Sequence, residues 1–204
     1  MSKQPFFSRW RIWITRLFCV AIVGLFLVSL PAWHDQESLM AHLITPLGLI
    51  LASIGAIGRL WCSSYAAGNK NARLLREGPY SLTRNPLYGF SFLGGLGVAI
   101  TTETFTIPAL FVAGFALYYH FVITEEEKRL QVDHGEDYAT YQVMVPRFIP
   151  RTTAYVEPQR WEISPSALRR SMGEVIWFVI AAVSIHALHD LRGVLSLPTL
   201  LVLP

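Results

Sequence analysis

The chain has 204 residues, 52% hydrophobic and 15% charged, with a net charge of +3. A soluble domain carries roughly 25% charged residues, and disorder needs low hydrophobicity with high charge, so neither class fits. Two cysteines are too few for a disulfide scaffold, and no Cys-x-x-Cys or zinc-ligand spacing occurs.

Mean hydropathy is +0.40, and five apolar stretches are candidate membrane helices, a span needing about 20 residues. The first runs from about Trp13 to Trp33 and includes Cys19. It exceeds a signal-peptide core and lacks a small-x-small cleavage site, so it reads as a retained helix. The second runs from about Leu39 to Trp61. On one face it carries Gly48, Ala52, Gly55 and Arg59. Small residues let helices approach closely in lipid, so a packing seam is favoured over a slot for a flat ligand, with Arg59 at its end.

Next comes Glu77-Gly78-Pro79-Tyr80-Ser81-Leu82-Thr83-Arg84-Asn85-Pro86-Leu87-Tyr88-Gly89. Gly78-Pro79 signals a turn. Pro86 suits the first position of a helix and Asn85 the cap before it. Arg84 beside a positive helix N-terminus is unfavourable unless the two share an anion, which a ligand carboxylate would provide. The third helix, about Leu87 to Thr101, is short for a span. Its Gly89, Gly94, Gly95 and Gly97 follow no strand, so no dinucleotide fold is indicated, and packing against the fourth helix is the default. Glu103 and Thr106-Ile107-Pro108 mark a tight turn, making the third and fourth helices a hairpin.

The fourth helix, about Thr106 to Ile123, ends at Thr124-Glu125-Glu126-Glu127-Lys128-Arg129. If a helix restarts there, Thr124 and Glu127 form a capping box and Glu125 pairs with Arg129. Glu126 is left over, which suggests a cationic or hydroxyl-rich ligand. Gly135, Tyr138 and Tyr141 follow, then Val145-Pro146-Arg147-Phe148-Ile149-Pro150, a rigid extended lid. His134 reads as a solvated loop residue. The linker Val156 to Arg170, with Pro158, Trp161 and Pro165, reads as irregular or interfacial. The fifth helix is about Met172 to Leu191, and the apolar tail Val194 to Pro204 is too short to span. His186, His189 and Asp190 fit a membrane boundary better than a metal site.

Lys3, Arg9, Arg11 and Arg16 open the chain. Arg59, Lys70, Arg73, Arg76 and Arg84 follow the second helix, and seven more Lys/Arg lie between the fourth and fifth. Only Arg192 falls on the other side, where Asp35, Glu37 and Glu103 lie. The positive-inside rule puts the N-terminus and both polar loops in the cytoplasm. Charge sorted in this way explains the basic balance through lipid headgroups, without nucleic acid. The fold expected is all-α and polytopic, one membrane domain over 1–204 with about five transmembrane helices and a cytoplasmic-face cofactor pocket.

An anion site, a cation or diol site and apolar walls match S-adenosylmethionine, which carries a carboxylate, an ammonium, a sulfonium and a ribose diol. At these residues the chain resembles the membrane methyltransferases related to isoprenylcysteine carboxyl methyltransferase and phosphatidylethanolamine N-methyltransferase. Their Gly-Pro-Tyr-x-x-x-Arg-His-Pro-x-Tyr-x-Gly pattern is met by Gly78, Pro79, Tyr80, Arg84, Pro86 and Tyr88, with Asn85 in place of His and Gly89 one position early. Their Glu-Glu-x-x-Leu pattern and its tail are met by Glu126, Glu127, Leu130, Gly135, Tyr138, Tyr141, Val145, Pro146 and Arg147. The resemblance covers about 43–150. Asn85 matches the phospholipid branch and Val-Pro-Arg the prenylcysteine branch.

The resemblance implies methyl transfer from S-adenosyl-L-methionine to a lipid-like or prenylated amphiphile at the inner leaflet of a prokaryotic membrane. Arg84, Glu127 and Arg147 are the expected catalytic residues. Tyr80, Arg84, Asn85, Pro86, Tyr88, Glu126, Glu127, Tyr138 and Tyr141 are the expected cofactor contacts, and no metal is expected. Carboxyl O-methylation is favoured, since a carboxylate needs no base. Amine N-methylation would call on Glu125, Glu127 or His134, because Asn85 cannot serve as a base. A non-enzymatic membrane scaffold or transport subunit is the reading from another class, and homo-oligomerisation through the fifth helix stays open.

Overall fold

The computed structural model describes residues 17, 20–31, 39–66, 73–159, 163–195 and 201–203. Residues 20–28 are helical (α1) and lead into a short strand, β1 (Ser29–Pro31). Then come α2 (Leu39–Ala66), the single turn α3 (Pro79–Leu82), α4 (Pro86–Ile100) and α5 (Thr106–Met144). A 3-10 turn (Thr152–Ala154), α6 (Pro165–Leu195) and β2 (Leu201–Leu203) complete the order.

Among the described residues three helices are long and apolar enough to cross a membrane: Leu43–Ala66, Thr106–Met144 and Pro165–Leu188. Pro86–Ile100 is apolar but shorter, as its 15 residues foretold. Of the expected first span, residues 20–28 are helical and give way to strand at Ser29, and much of the rest lies outside the described residues. The count of about five spans is therefore met here for three. Hydrocarbon-facing stripes are evident on these helices. On α2, Leu43, Leu47, Ile50, Ile54 and Ile57 are all exposed, and their alternating spacing of four and three puts them on one face.

The opposite face of α2 packs on α4 through glycine. A Cβ built on Gly55 would stand 2.3 Å from the Cα of Gly94, and one on Gly97 would stand 2.3 Å from the amide nitrogen of Ala52. Gly48 meets the Gly97 carbonyl oxygen at 2.8 Å in the same way. The stripe is a packing seam, with no room left for a flat ligand. The α4 glycines divide their work. Gly94 and Gly97 serve α2, and Gly95 alone among them abuts α5, at Phe111. Phe178 of α6 lies against Gly94.

Two other expectations are revised. Helix α5 does not stop at Ile123 but continues to Met144, broken only at Gly135 (φ 52, ψ −123). Helix α6 begins at Pro165, so residues 165–170 of the supposed irregular linker are helical. Near the C-terminus, Leu201–Leu203 pairs in parallel with Ser29–Pro31. Beneath this pairing Phe26, Ala99 and Ile107 form a small core with Leu203, Phe111 and Ile185 around it. This is the end of the bundle opposite the polar loops. There the 101–105 turn buries Glu103, which accepts a hydrogen bond from Thr45.

Candidate active site

At the other end, α5 leaves the apolar zone, reverses at Gly135 and returns. Glycine suits that reversal because its φ is positive. The returning arm is pinned at several points. Tyr141 donates its hydroxyl to the Tyr80 carbonyl at 2.6 Å, and Arg76 pairs with Asp137 at 3.1 Å. Tyr138, Tyr141 and Val145 form a buried cluster with Leu74 and Leu130. Beyond it the strap 145–151 lies along the loop that precedes α4. Arg84 N donates to the Pro146 carbonyl at 2.9 Å, Thr83 Oγ1 to the Arg147 carbonyl at 3.0 Å, and Arg151 N to the Leu82 carbonyl at 3.0 Å. The two motif segments are thereby one structure.

Glu127 sits at their junction, with its side chain 15% exposed. Arg147 grips it with two donors, at 3.0 Å to Oε2 and 3.3 Å to Oε1. Arg84 stands 3.6 Å from Oε1, and Asn85 Nδ2 donates to the same oxygen at 3.4 Å. The anion beside Arg84 is thus a carboxylate of the protein itself. Asn85 occupies the N-cap position but makes no cap bond. Its amide goes to Glu127 and to the Arg147 carbonyl at 3.2 Å. Arg147 likewise turns onto Glu127 and Thr124 (3.1 Å) and lies over the Phe148 ring.

Glu126 is exposed and accepts a hydrogen bond from the Tyr88 hydroxyl at 2.5 Å. The Tyr88 ring lies 5.2 Å from that of Tyr119, which stacks on Phe115 at 3.9 Å, so an aromatic column descends between α4 and α5. Tyr80 is half-buried beside this group, and withdrawal from water pushes its phenol upward, with Cys62 and Glu126 adding to the effect. Pro86 is buried as the first residue of α4. Nε of Arg84 and the hydroxyl of Tyr138 are both buried here. These groups are neighbours, and the Arg84 charge acts on the Tyr138 phenol.

The structure therefore brings together Tyr80, Arg84, Asn85, Pro86, Tyr88, Glu126, Glu127, Tyr138, Tyr141 and Arg147. The local pairings anticipated around Glu127 are different in the fold. No capping box forms, because the helix is continuous and Thr124 donates to the His120 carbonyl. Glu125 pairs with Lys128 at 3.0 Å and Arg129 with Asp133 at 3.4 Å. Thr83 and Thr124 are positioning residues the sequence reading missed. Thr83 directly precedes Arg84 and Thr124 lies three residues before Glu127, so closeness to a charged motif residue is the signal the sequence carries. His134 is half-buried next to the Gly135 reversal. The side chains of His189 and Asp190 lie outside the described residues, and no cluster of three metal-ligating side chains occurs among those described.

The family described as phospholipid methyltransferase matches residues 39–137. The cobalt-zinc-cadmium resistance protein CzcN of Cupriavidus metallidurans is 33% identical over 202 residues, covering 96% of this chain and 92% of that protein. The nickel-cobalt-cadmium resistance protein NccN of Alcaligenes xylosoxydans xylosoxydans is 30% identical over 203 residues, covering 98% and 93%. No solved structure matches. The chain belongs to the membrane methyltransferase family that joins the phospholipid methyltransferases to the isoprenylcysteine carboxyl methyltransferases.

Proposed function

We propose that the protein transfers a methyl group from S-adenosylmethionine to a lipid-like amphiphile at the membrane surface on the side of the polar loops, the cytoplasmic side by its charge distribution. The observation that carries this reading is the junction itself: Arg84, Asn85 and Tyr88 before α4 meet Glu126 and Glu127 of α5 at the end of the apolar zone. The donor set suits the cofactor. The buried Nε of Arg84 and the adjacent Tyr138 hydroxyl are donors that suit a carboxylate oxygen, and the exposed carboxylate of Glu126 matches an ammonium or ribose diol. When bound, the cofactor supplies an electrophilic methyl on a sulfonium. The protein's part is alignment and exclusion of water, with Glu127 and Arg147 holding the strap in place over the loop.

Carboxyl O-methylation is the preferred reaction. An amine acceptor must lose a proton, yet Glu127 is held by two arginines and Glu125 by Lys128, which leaves His134 alone of the three candidate bases. A carboxylate acceptor has no such need. Membranes containing the protein, incubated with methyl-tritiated cofactor, should yield a lipid-phase product whose label is released by alkali. Label that survives alkali would move the reading to N-methylation. No label, together with no cofactor binding that Glu126→Ala could abolish, would leave a scaffold.

The near full-length similarity to two proteins named for divalent-metal resistance supports placing this methylation in a metal-stressed bacterial membrane. Loss of the gene should then lower tolerance to cobalt, zinc or cadmium, with rescue by the wild-type chain and none by Glu126→Ala.

A further inference from the structure

The strap 145–151 has two unlike sides. One is fastened to the site through the backbone of Pro146, Arg147 and Arg151. The other faces outward and is apolar: Phe148 is 52% exposed and Ile149 83%, and Val143 and Met144 at the end of α5 are exposed too. Arg147 and Arg151 flank the pair, and Arg151 is itself exposed. An apolar patch of this kind on a water-facing loop marks an interaction surface.

Its depth identifies the partner. Arg147 Nη2 donates to Thr124 Oγ1 at 3.1 Å. Thr124 continues the α5 stripe of Leu117 and Phe121 at spacings of four and three, and both are well exposed in the apolar stretch of that helix. The strap thus lies where a hydrocarbon-facing stripe ends. At that level a bilayer changes from acyl chains to headgroups, and aromatic or aliphatic side chains next to arginines are favoured there. Anionic lipid adds attraction for each nearby Arg.

We propose that the strap is a membrane-surface contact: Phe148 and Ile149 enter the boundary between headgroups and acyl chains, and Arg151 with the outer donors of Arg147 meets lipid phosphate. The leaflet then grips the same strap that carries Arg147 onto Glu127. This placement holds whichever group the enzyme methylates.

The test uses the full chain in vesicles of equal parts phosphatidylethanolamine and phosphatidylglycerol. A nitroxide is attached at Ile149→Cys in a Cys19→Ser, Cys62→Ala background. Collision rates with oxygen and with a water-soluble nickel chelate report depth. Leu117→Cys and Val132→Cys serve as lipid and water references. The label at 149 should fall between those at 117 and 132, with an oxygen-to-nickel ratio several-fold above that at 132. A ratio equal to that at 132 would overturn the proposal and point to a protein partner. Should the cysteine background not fold, the unmodified chain in the same vesicles is treated with a membrane-partitioning diazirine. The peptide carrying Phe148 and Ile149 should be labelled and that carrying Val132 should not, and the reverse pattern overturns the proposal.

Discussion

Three side chains converge on Glu127 from two other segments, Arg84 as an ion pair and Asn85 as a donor from one, and Arg147 from the other. Removing it leaves two guanidinium groups facing each other. Glu127→Ala should therefore lower stability by about 2–4 kcal/mol, the range for breaking a largely buried ion pair after allowance for its residual exposure. Thermal unfolding in detergent measures this, and Glu127→Gln should recover part of the loss by keeping acceptor capacity. Asn85 permits a sharper test. Serine is as good an N-cap as asparagine, but the Asn85 amide caps nothing and bonds across the fold. Asn85→Ser should thus be no better than Asn85→Ala, each losing about 1 kcal/mol by the worth of one such hydrogen bond. A clear advantage for serine in the same unfolding assay would contradict the assignment. At this scale the sequence exposes which residues matter and hides whom they touch. The need for an anion beside Arg84 follows from local electrostatics, but that the anion is 43 positions later follows only from the return of α5.

The helices repeat this division between legible and hidden. The α2 seam is legible because small residues at helical spacing have one main use in lipid. Gly55→Ala should destabilise markedly, since its Cβ would lie 2.3 Å from the Gly94 backbone and overpacking costs about 1–3 kcal/mol. Gly89→Ala meets nothing within 4 Å and should be neutral or stabilising by about 0.5–1 kcal/mol, the helical preference for alanine. Paired melting curves decide between these. The length of α5 was not legible. Thr124 to Glu127 has the form of a helix start, yet Glu, Lys and Arg also propagate helices well, and the Glu125–Lys128 and Arg129–Asp133 pairs favour continuation. The true break, Gly135, stands in a polar stretch without apolar periodicity to mark it. Gly135→Ala should cost about 1–3 kcal/mol for a residue held at an unfavourable positive φ. It should also weaken cofactor binding by displacing the arm that ends in Arg147. Unchanged binding would mean that the reversal does not position the site.

On the scale of the molecule, charge sorting and hydropathy establish a helical membrane protein. Tertiary pairing establishes features they could not, such as the strand that ties 29–31 to 201–203. A three-residue strand has too little periodicity to signal itself, and its partner is 172 positions away. Deleting the last four residues should lower the melting temperature, because Leu203 packs on the Phe26 core, while leaving cofactor affinity unchanged at the opposite end. A joint loss would show that the two ends are coupled.

The family match stops at residue 137, ten positions short of Arg147. A fragment cut at that boundary would keep both acids and Arg84 but lose their clasp. During synthesis the junction cannot close until the ribosome has released the sequence beyond Pro146, so its assembly is a late event in the life of the nascent chain.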